Sequence, residues 1–430
     1  MADKTNMQYG DPKAMVQQAV GLFATHTQRN TTMARLTGSM PAGEAGAEAT
    51  LRKQTTQHMP IVKCQDLGQG RGDEVTFHLL NPVGGYPIMG SAYAEGRGVG
   101  MNLSEDRLRV NQARWPVDAG NTMTNIRSPA QFRKLARPVA QAQADAYVDQ
   151  SLLVHMAGAR GFHDNIEWRV PVNTHPKFGE IMVNQVKAPT KNRHFISDGT
   201  NGVQPFAVNA GEIDLASTDL LRMDTIDGIR TYMEQISLPP PPVIFEGDKA
   251  ATDSPLRVLL VSPAQYSGFA TDPSFRQLQA SAMARAAQAG QHPLFLGEAG
   301  LWNGVLIIKM PKPIRFYAGD TIKYCAAHDS ETESSCVVPS SFGTTFAVDR
   351  AILIGGQAVA EAFAASDKAK IPFFWSEKEL DHGDKVEVLL GMIRGVSKIR
   401  FAIDHGNGVQ FTDYGATVFD TAVPIIGARN

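Results

Sequence analysis

Cysteine is nearly absent from this chain of 430 residues: Cys64, Cys325 and Cys336 are its whole complement. So sparse and odd a set excludes a disulfide framework and suits folding in a reducing compartment. Long apolar runs are lacking too, and no stretch approaches the roughly 20 residues of a membrane-spanning helix. The opening Met1–Gly10, MADKTNMQYG, has none of the basic-then-apolar profile of a secretory signal. Neither sign of charge dominates. With 41 Lys and Arg against 43 Asp and Glu, the net charge is −2, without the basic excess of a dedicated nucleic-acid binder. That balance still allows a protein that encloses nucleic acid without gripping it. Internal repeats are absent, and the 39 Gly and 25 Pro are scattered as turn residues.

What is present is an ordinary globular composition, 43% hydrophobic and 20% charged, in a chain long enough for two or three lobes. The stretch Ser128–Gly158 is its organising element. Ser128 is a good N-cap, Pro129 suits the first helical position, and Gly158 and Gly161 are stop signals. Phe132, Leu135, Val139, Ala142, Ala146, Leu153 and Ala157 share one side at helical spacing. Pro138 should kink this helix or split off its first turns.

Before it, residues 1–58 read as an arm ordered by lying on something else, with a short helix carrying Met15, Val16, Ala19, Val20 and Phe23. From 60 to 120 the period changes to two. Val75, Phe77 and Leu79 alternate along one strand, Leu108 and Val110 along another running from Arg107 to Trp115, and a Gly-rich tip lies between. The pattern predicts an extended hairpin with arginines outward. Such a hairpin is marginal alone and needs a surface, which suggests another subunit. Residues 159–215 have no clear pattern. Beyond them an α/β order is expected: a helix capped by Asp224 with Ile226, Ile229, Met233 and Ile236, and a strand Leu256–Val261. A helix from Asp272 to Gly290, strands at Gly304–Lys309 and Asp349–Ile354, and an Ala-rich helix from Gln357 to Ala365 follow. Strands return at Lys385–Leu390, Val396–Phe401 and Ala416–Phe419.

Reactive groups are few. Cys325, His328 and Cys336 offer three soft ligands, but a structural zinc wants four at tighter spacing. Asp381-His382-Gly383 and Asp404-His405-Gly406 read as turns between strands. Gly68-Gln-Gly70-Arg-Gly72 and Gly96-Arg-Gly98-Val-Gly100 do not lead from a strand into a helix, as a phosphate loop must. His163-Asp164 with Glu167 has no nucleophile beside it. A cytosolic metal-dependent hydrolase built on the Cys325/His328/Cys336 or Asp-His-Gly groups is the alternative from another class. No catalytic set, cofactor or metal is assigned.

The layout as a whole resembles the major capsid proteins of tailed double-stranded DNA phages, with their HK97-type fold. Phrases similar to the N4-like branch are Leu36-Thr-Gly-Ser-Met-Pro41, Met59-Pro-Ile-Val-Lys-Cys64 and Val154-His-Met-Ala-Gly-Ala-Arg-Gly161. Pro189-Thr-Lys-Asn-Arg-His194, His292-Pro-Leu-Phe295 and Val348-Asp-Arg-Ala-Ile-Leu353 add to them. The resemblance implies an α+β, HK97-like capsid fold: N-arm, extended β-hairpin loop, long spine helix with a peripheral β-sheet, and an axial α/β domain. The implied division is arm 1–58, peripheral part 59–72, extended loop 73–118, peripheral domain 119–215 with spine helix 128–158, axial domain 216–370, peripheral return 371–411 and axial end 412–430. It implies self-assembly as hexamers and pentamers around packaged double-stranded DNA, with scaffolding, portal and decoration or cement proteins as partners and no membrane. The virion is the expected location, after assembly in the host cytoplasm. Inter-subunit contacts are expected at Arg97, Arg107, Arg109, Arg114, Tyr86, Met89 and Phe23. Some relatives lose a propeptide; here the arm is expected to stay attached. Others cross-link through a loop lysine, a route closed here because no lysine lies between Lys63 and Lys134.

Overall fold

The long helix runs from Phe132 to Ala157, 26 residues and about 39 Å, as one element with Pro138 inside it, so the proline does not split off its first turns. The computed structural model describes residues 19, 22, 25, 26, 29, 31–37, 58–64, 74–80, 87–90, 95, 103–121, 123, 132–163, 167–199, 202–236, 238–245, 256–270, 300–364, 372–404 and 408–425. Ser128 and Pro129 lie outside them, as does the segment expected to be helical from Asp272 to Gly290. Gly158 ends the helix at φ +68°, where an added Cβ would sit 2.6 Å from the Lys187 carbonyl oxygen.

The helix does not bury the face that its apolar spacing suggests. In its first half the buried positions are Ala136, Ala140, Ala144 and Val148, at four-residue steps. Phe132, Leu135 and Val139 are 37%, 50% and 46% exposed, and Ala142 is exposed with them. Small residues let the helix lie close on a sheet, and that approach outweighs the transfer energy of the larger side chains on the adjacent face. From Val148 to Ala157 every position is buried, so Leu153 and Ala157 lie where the spacing put them.

The sheet under the helix has five strands. Ile61–Cys64 pairs parallel with Val359–Phe363, which pairs antiparallel with Lys385–Lys398. Phe373–Leu380 and Asn111–Asn121 also pair with Lys385–Lys398. Val359–Phe363 corrects the helix expected from Gln357 to Ala365. Alanine favours helix, but Val359, Glu361 and Phe363 alternate with Ala360 and Ala362, and all five positions are buried. A small-residue strand fits where both faces are covered, and packing there overrides propensity.

Val110 corrects a second expectation. The strand expected from Arg107 to Trp115 divides there: Leu103–Arg109 pairs with Glu74–Leu80 in a two-stranded hairpin, whereas Asn111–Asn121 enters the five-stranded sheet. Unbroken alternation carries no information about a change of partner.

The second body is an eight-stranded sheet. Its order is Gly300–Trp302, Val305–Lys309, Arg257–Val261, Phe346–Ile354, Ala416–Pro424, His194–Asp198 and Gly202–Pro205, with Arg315–Phe316 beside Phe346–Ile354. Arg257–Val261 is buried throughout. One face carries the helix Met223–Gln235, whose Ile226, Ile229 and Met233 pack with Leu259, Val261, Leu353 and Phe419. Its N-cap is Arg222, and Asp224 lies in the first turn instead of capping. The opposite face shares a core with the C-terminal half of the long helix through Val258, Leu260, Ile352 and Ala422. Two strands of this sheet, His194–Asp198 and Gly202–Pro205, come from the stretch without a clear pattern, where polar residues at the strand ends hide the period.

Candidate assembly surfaces

The possible metal ligands are kept apart. Cys325 and Cys336 lie on paired strands, but Cys325 faces Glu333 and Cys336 faces Ile322, three register places away. Both thiols are buried, 3.9 Å and 3.8 Å from the carbonyls of Ala188 and Ile322. Burial pushes the Cys336 thiol up to about 12, which keeps it neutral and unsuited to a metal. Among the described residues no three His, Cys, Asp or Glu side chains are grouped to hold an ion. Asp381 and His382 make a tight turn at φ +56° and +53° between Phe373–Leu380 and Lys385–Lys398. His405 and Gly406 lie outside the described residues, as do both glycine-rich loops and Asp164. His163 stands 3.0 Å from the Tyr317 hydroxyl, while Glu167 is paired with Lys312.

The expected contact residues divide in the same way. Arg97, Tyr86 and Phe23 lie outside the described residues. Met89 is 77% exposed, and Arg107, Arg109 and Arg114 are all exposed. Arg109 already has a partner in its own hairpin, Glu74 Oε1 at 2.7 Å from its Nε, across the Glu74–Arg109 register pair. At that exposure the pair is worth about 0–1 kcal/mol, so exchanging it for a partner on another chain costs little.

The arm is bound to its own subunit. His26 Nδ1 stands 2.5 Å from Asp145 Oδ1, and Arg29 Nε donates to Asp149 Oδ1 at 3.1 Å. Asp145 and Asp149 are one helical turn apart on the long helix, so the two side chains of the arm straddle one stripe. Arg29 Nη1 also lies 2.7 Å from His26 Nε2, an arrangement that suits a neutral ring donating from Nδ1. Burial first, and then Arg29, lowers the His26 pKa. Thr31 caps the following helix Thr32–Arg35 by accepting from Ala34 N at 3.2 Å.

Motif reasoning missed the charges that hold the bodies together. Arg350 pairs with Asp420 at 2.7 and 2.8 Å, His194 Nε2 stands 2.7 Å from the same carboxylate, and all three are buried. Arg350 also donates to the carbonyl of Ala157 at 3.0 Å, meeting an orphan acceptor at the end of the long helix. Burial raises the Asp420 pKa, yet Arg350 and His194 outweigh it and hold it below the usual carboxylate range. Arg394 binds Glu361 and, at 2.7 Å, Ser151 on the long helix. Burial raises Glu361, but Arg394 and Lys63 bring it down to about 2. Lys398 and Arg400 share Asp413, each at 2.7 Å. The available signal was a charge inside an apolar strand, as in Val348-Asp349-Arg350-Ala351 and Val418-Phe419-Asp420.

The described subunit thus has two packed bodies, a hairpin whose strands pair outside both large sheets, and arm residues bound to the long helix. A family model described as phage capsid protein matches residues 6–425. The chain belongs to the phage capsid protein family. Solved structures agree in fold. The capsid of Ralstonia phage GP4 is 20% identical, with 100% of both chains covered and a TM-score of 0.66. The cyanophage Pam1 capsid is 15% identical over 94% of this chain and 99% of that one, at 0.58. The capsid of Helicobacter pylori bacteriophage KHP30 is 12% identical over 97% and 100%, at 0.53. No curated protein is significantly similar. The fold is thus α+β of the HK97-like capsid type, and the protein is the major capsid protein of a tailed phage. It is a structural protein that self-associates into the virion shell. The hydrolase alternative has no support. No helix among the described residues is long and apolar enough to cross a membrane.

Proposed function

We propose that the hairpin is the reaching part of this capsid subunit and that it is seated on a neighbouring copy. The observation that carries this reading is the hairpin itself: Glu74–Leu80 and Leu103–Arg109 pair only with each other and belong to neither large sheet. Two strands alone are marginal in water, and burial against a neighbour supplies the missing surface. Arg107, Arg109 and Arg114, with Met89, are the contacts on this reading, and Arg97, Tyr86 and Phe23 are proposed to join them. The long helix with the five-stranded sheet serves as the peripheral body and the eight-stranded sheet as the axial body. The arm fastens to the peripheral body of its own subunit. Assembly in the host cytoplasm, with scaffolding and portal proteins and with decoration or cement proteins, would precede filling with double-stranded DNA. The near-neutral charge, −2 overall, suits enclosure without tight binding.

Amide exchange of residues 74–80 and 103–109, compared between free subunits and assembled particles, tests the seating. Protection on assembly is expected, with a charged insertion at Gly98 blocking assembly while the subunit stays folded. Equal exchange in the two states would overturn the reading.

A further inference from the structure

The direction in which the hairpin leaves the subunit is set over a few residues, because its return strand must hand over at Val110 to the five-stranded sheet. Asn184, Asp106, Leu108 and Gly395 converge there. Asn184 Oδ1 accepts from Arg109 N at 2.9 Å, and Asn184 Nδ2 donates to Arg109 O at 2.9 Å and to Val396 O at 2.9 Å. A single side-chain amide thereby answers both backbone groups of Arg109, as a neighbouring strand would, and ties them to Lys385–Lys398. Asp106 is gripped from two sides: Oδ1 accepts from Lys187 Nζ at 2.9 Å and Oδ2 from Arg400 N at 3.2 Å. Leu108, next to both, is fully buried among Val62, Ala360, Ala362, Ile399 and Phe401. At Gly395 an added Cβ would sit 1.9 Å from Arg109 O, so glycine is what lets the hairpin root lie against the sheet.

The backbone is bent to make this possible. Val183, immediately before Asn184, has φ +65°, a conformation disfavoured for a β-branched residue. Strain held at such a position marks a constraint the surrounding structure maintains.

We infer that Asn184 and Asp106 form a clamp that fixes the hairpin's exit angle and so sets where it meets the adjacent copy; this rests on the seating proposed above. The geometry explains why angle, rather than stability, is at stake. From Arg109 to the far pair Leu80–Leu103 the hairpin is about 20 Å long, so a root rotation of ~10° moves that end by roughly 3–4 Å. A displacement of that size exceeds the tolerance of a hydrogen bond, which weakens within a few tenths of an ångström. The two bonds from Asn184 to the Arg109 backbone lie at the exposed edge of the root, so water can replace them there, and the part-buried bond to Val396 O is the one the fold loses. Asn184 is a positioning residue in this account.

The test uses the full chain with spin labels at Met89→Cys and Ala142→Cys, one on the hairpin connection and one on the exposed face of the long helix. In free subunits Asn184→Ala should at least double the width of the distance distribution while the urea midpoint stays near that of the unsubstituted chain. Asp106→Asn, which weakens the second grip, should broaden it in the same direction. Assembled Asn184→Ala particles should be heterogeneous in size by electron microscopy. An unchanged distribution in both variants would overturn the clamp, and so would uniform particles of normal size. Failure of the seating reads out separately, as equal hairpin exchange in unsubstituted particles and free subunits, while the label distances still report the clamp.

Discussion

Arg350, Asp420 and His194 occupy a site without solvent, where each needs the others. Replacing the whole set by apolar groups would be tolerable, but removing one member leaves a buried charge alone. Arg350→Met is therefore expected to cost about 3–5 kcal/mol in urea unfolding of the free subunit, and it also orphans the Ala157 carbonyl. Buried histidines set the response to acid. Burial lowers His155 to about 3, against a backbone hydrogen bond at Met182 that raises it, and burial lowers His194 to about 4. An unfolded histidine takes its proton near 6.5, so below that pH the unfolded chain holds more protons than the folded one, and stability falls. Glu361 and Asp413, held at about 2, contribute stability that is present above the ordinary carboxylate range near 4 and is lost as pH falls from there toward 2. Urea midpoints should thus decline from pH 6.5 to 4 and again below 4. His155→Leu should flatten the first decline, and an unaltered slope in that variant would show that other groups cause it.

At the scale of elements, the long helix contains its own weak point. Pro138 is exposed, lacks the N–H of an interior position and clashes with the preceding turn. Packing of Ala136, Ala140 and Ala144 on one side and of the fully buried second half holds the helix together across it. Pro138→Ala should then stabilise the free subunit by about 1–3 kcal/mol, read as a higher urea midpoint. No change, or a loss, would mean that the proline is accommodated without cost. Gly391 shows the opposite economy: an added Cβ would fall 1.9 Å from the Phe374 ring, so an aromatic side chain covers the glycine's position in the paired strand.

For the whole molecule, the shell must be locked by contacts its chemistry permits. Without lysine between Lys63 and Lys134, the hairpin offers only guanidinium groups, which stay protonated and are not nucleophiles. Exposed pairs made by those groups are worth about 0–1 kcal/mol each, so strength has to come from number, from apolar burial or from a cementing partner. Mature particles should dissociate to single-chain bands in hot denaturing detergent. A ladder of covalent oligomers on that gel would refute a lock free of hairpin cross-links.

The sequence by itself determined the long helix, its stop at Gly158, the hairpin with exposed arginines, and the buried strands Arg257–Val261 and Phe346–Ile354. Each of these follows from local periodicity or backbone stereochemistry, which a chain expresses wherever it lies. Tertiary structure alone decided which stripe of the long helix is buried, because alanines and larger apolar residues carry the same spacing and only the sheet beneath selects the smaller. It decided that Val359–Phe363 is a strand, since cover on both faces outweighs the helical preference of alanine. It brought His26 and Arg29 to Asp145 and Asp149, Arg350 to Asp420, and Asn184 to Arg109, pairs between 70 and 120 positions apart. No local pattern encodes such pairs, because a lone charge or amide in the sequence names no partner until the fold brings one within hydrogen-bond reach.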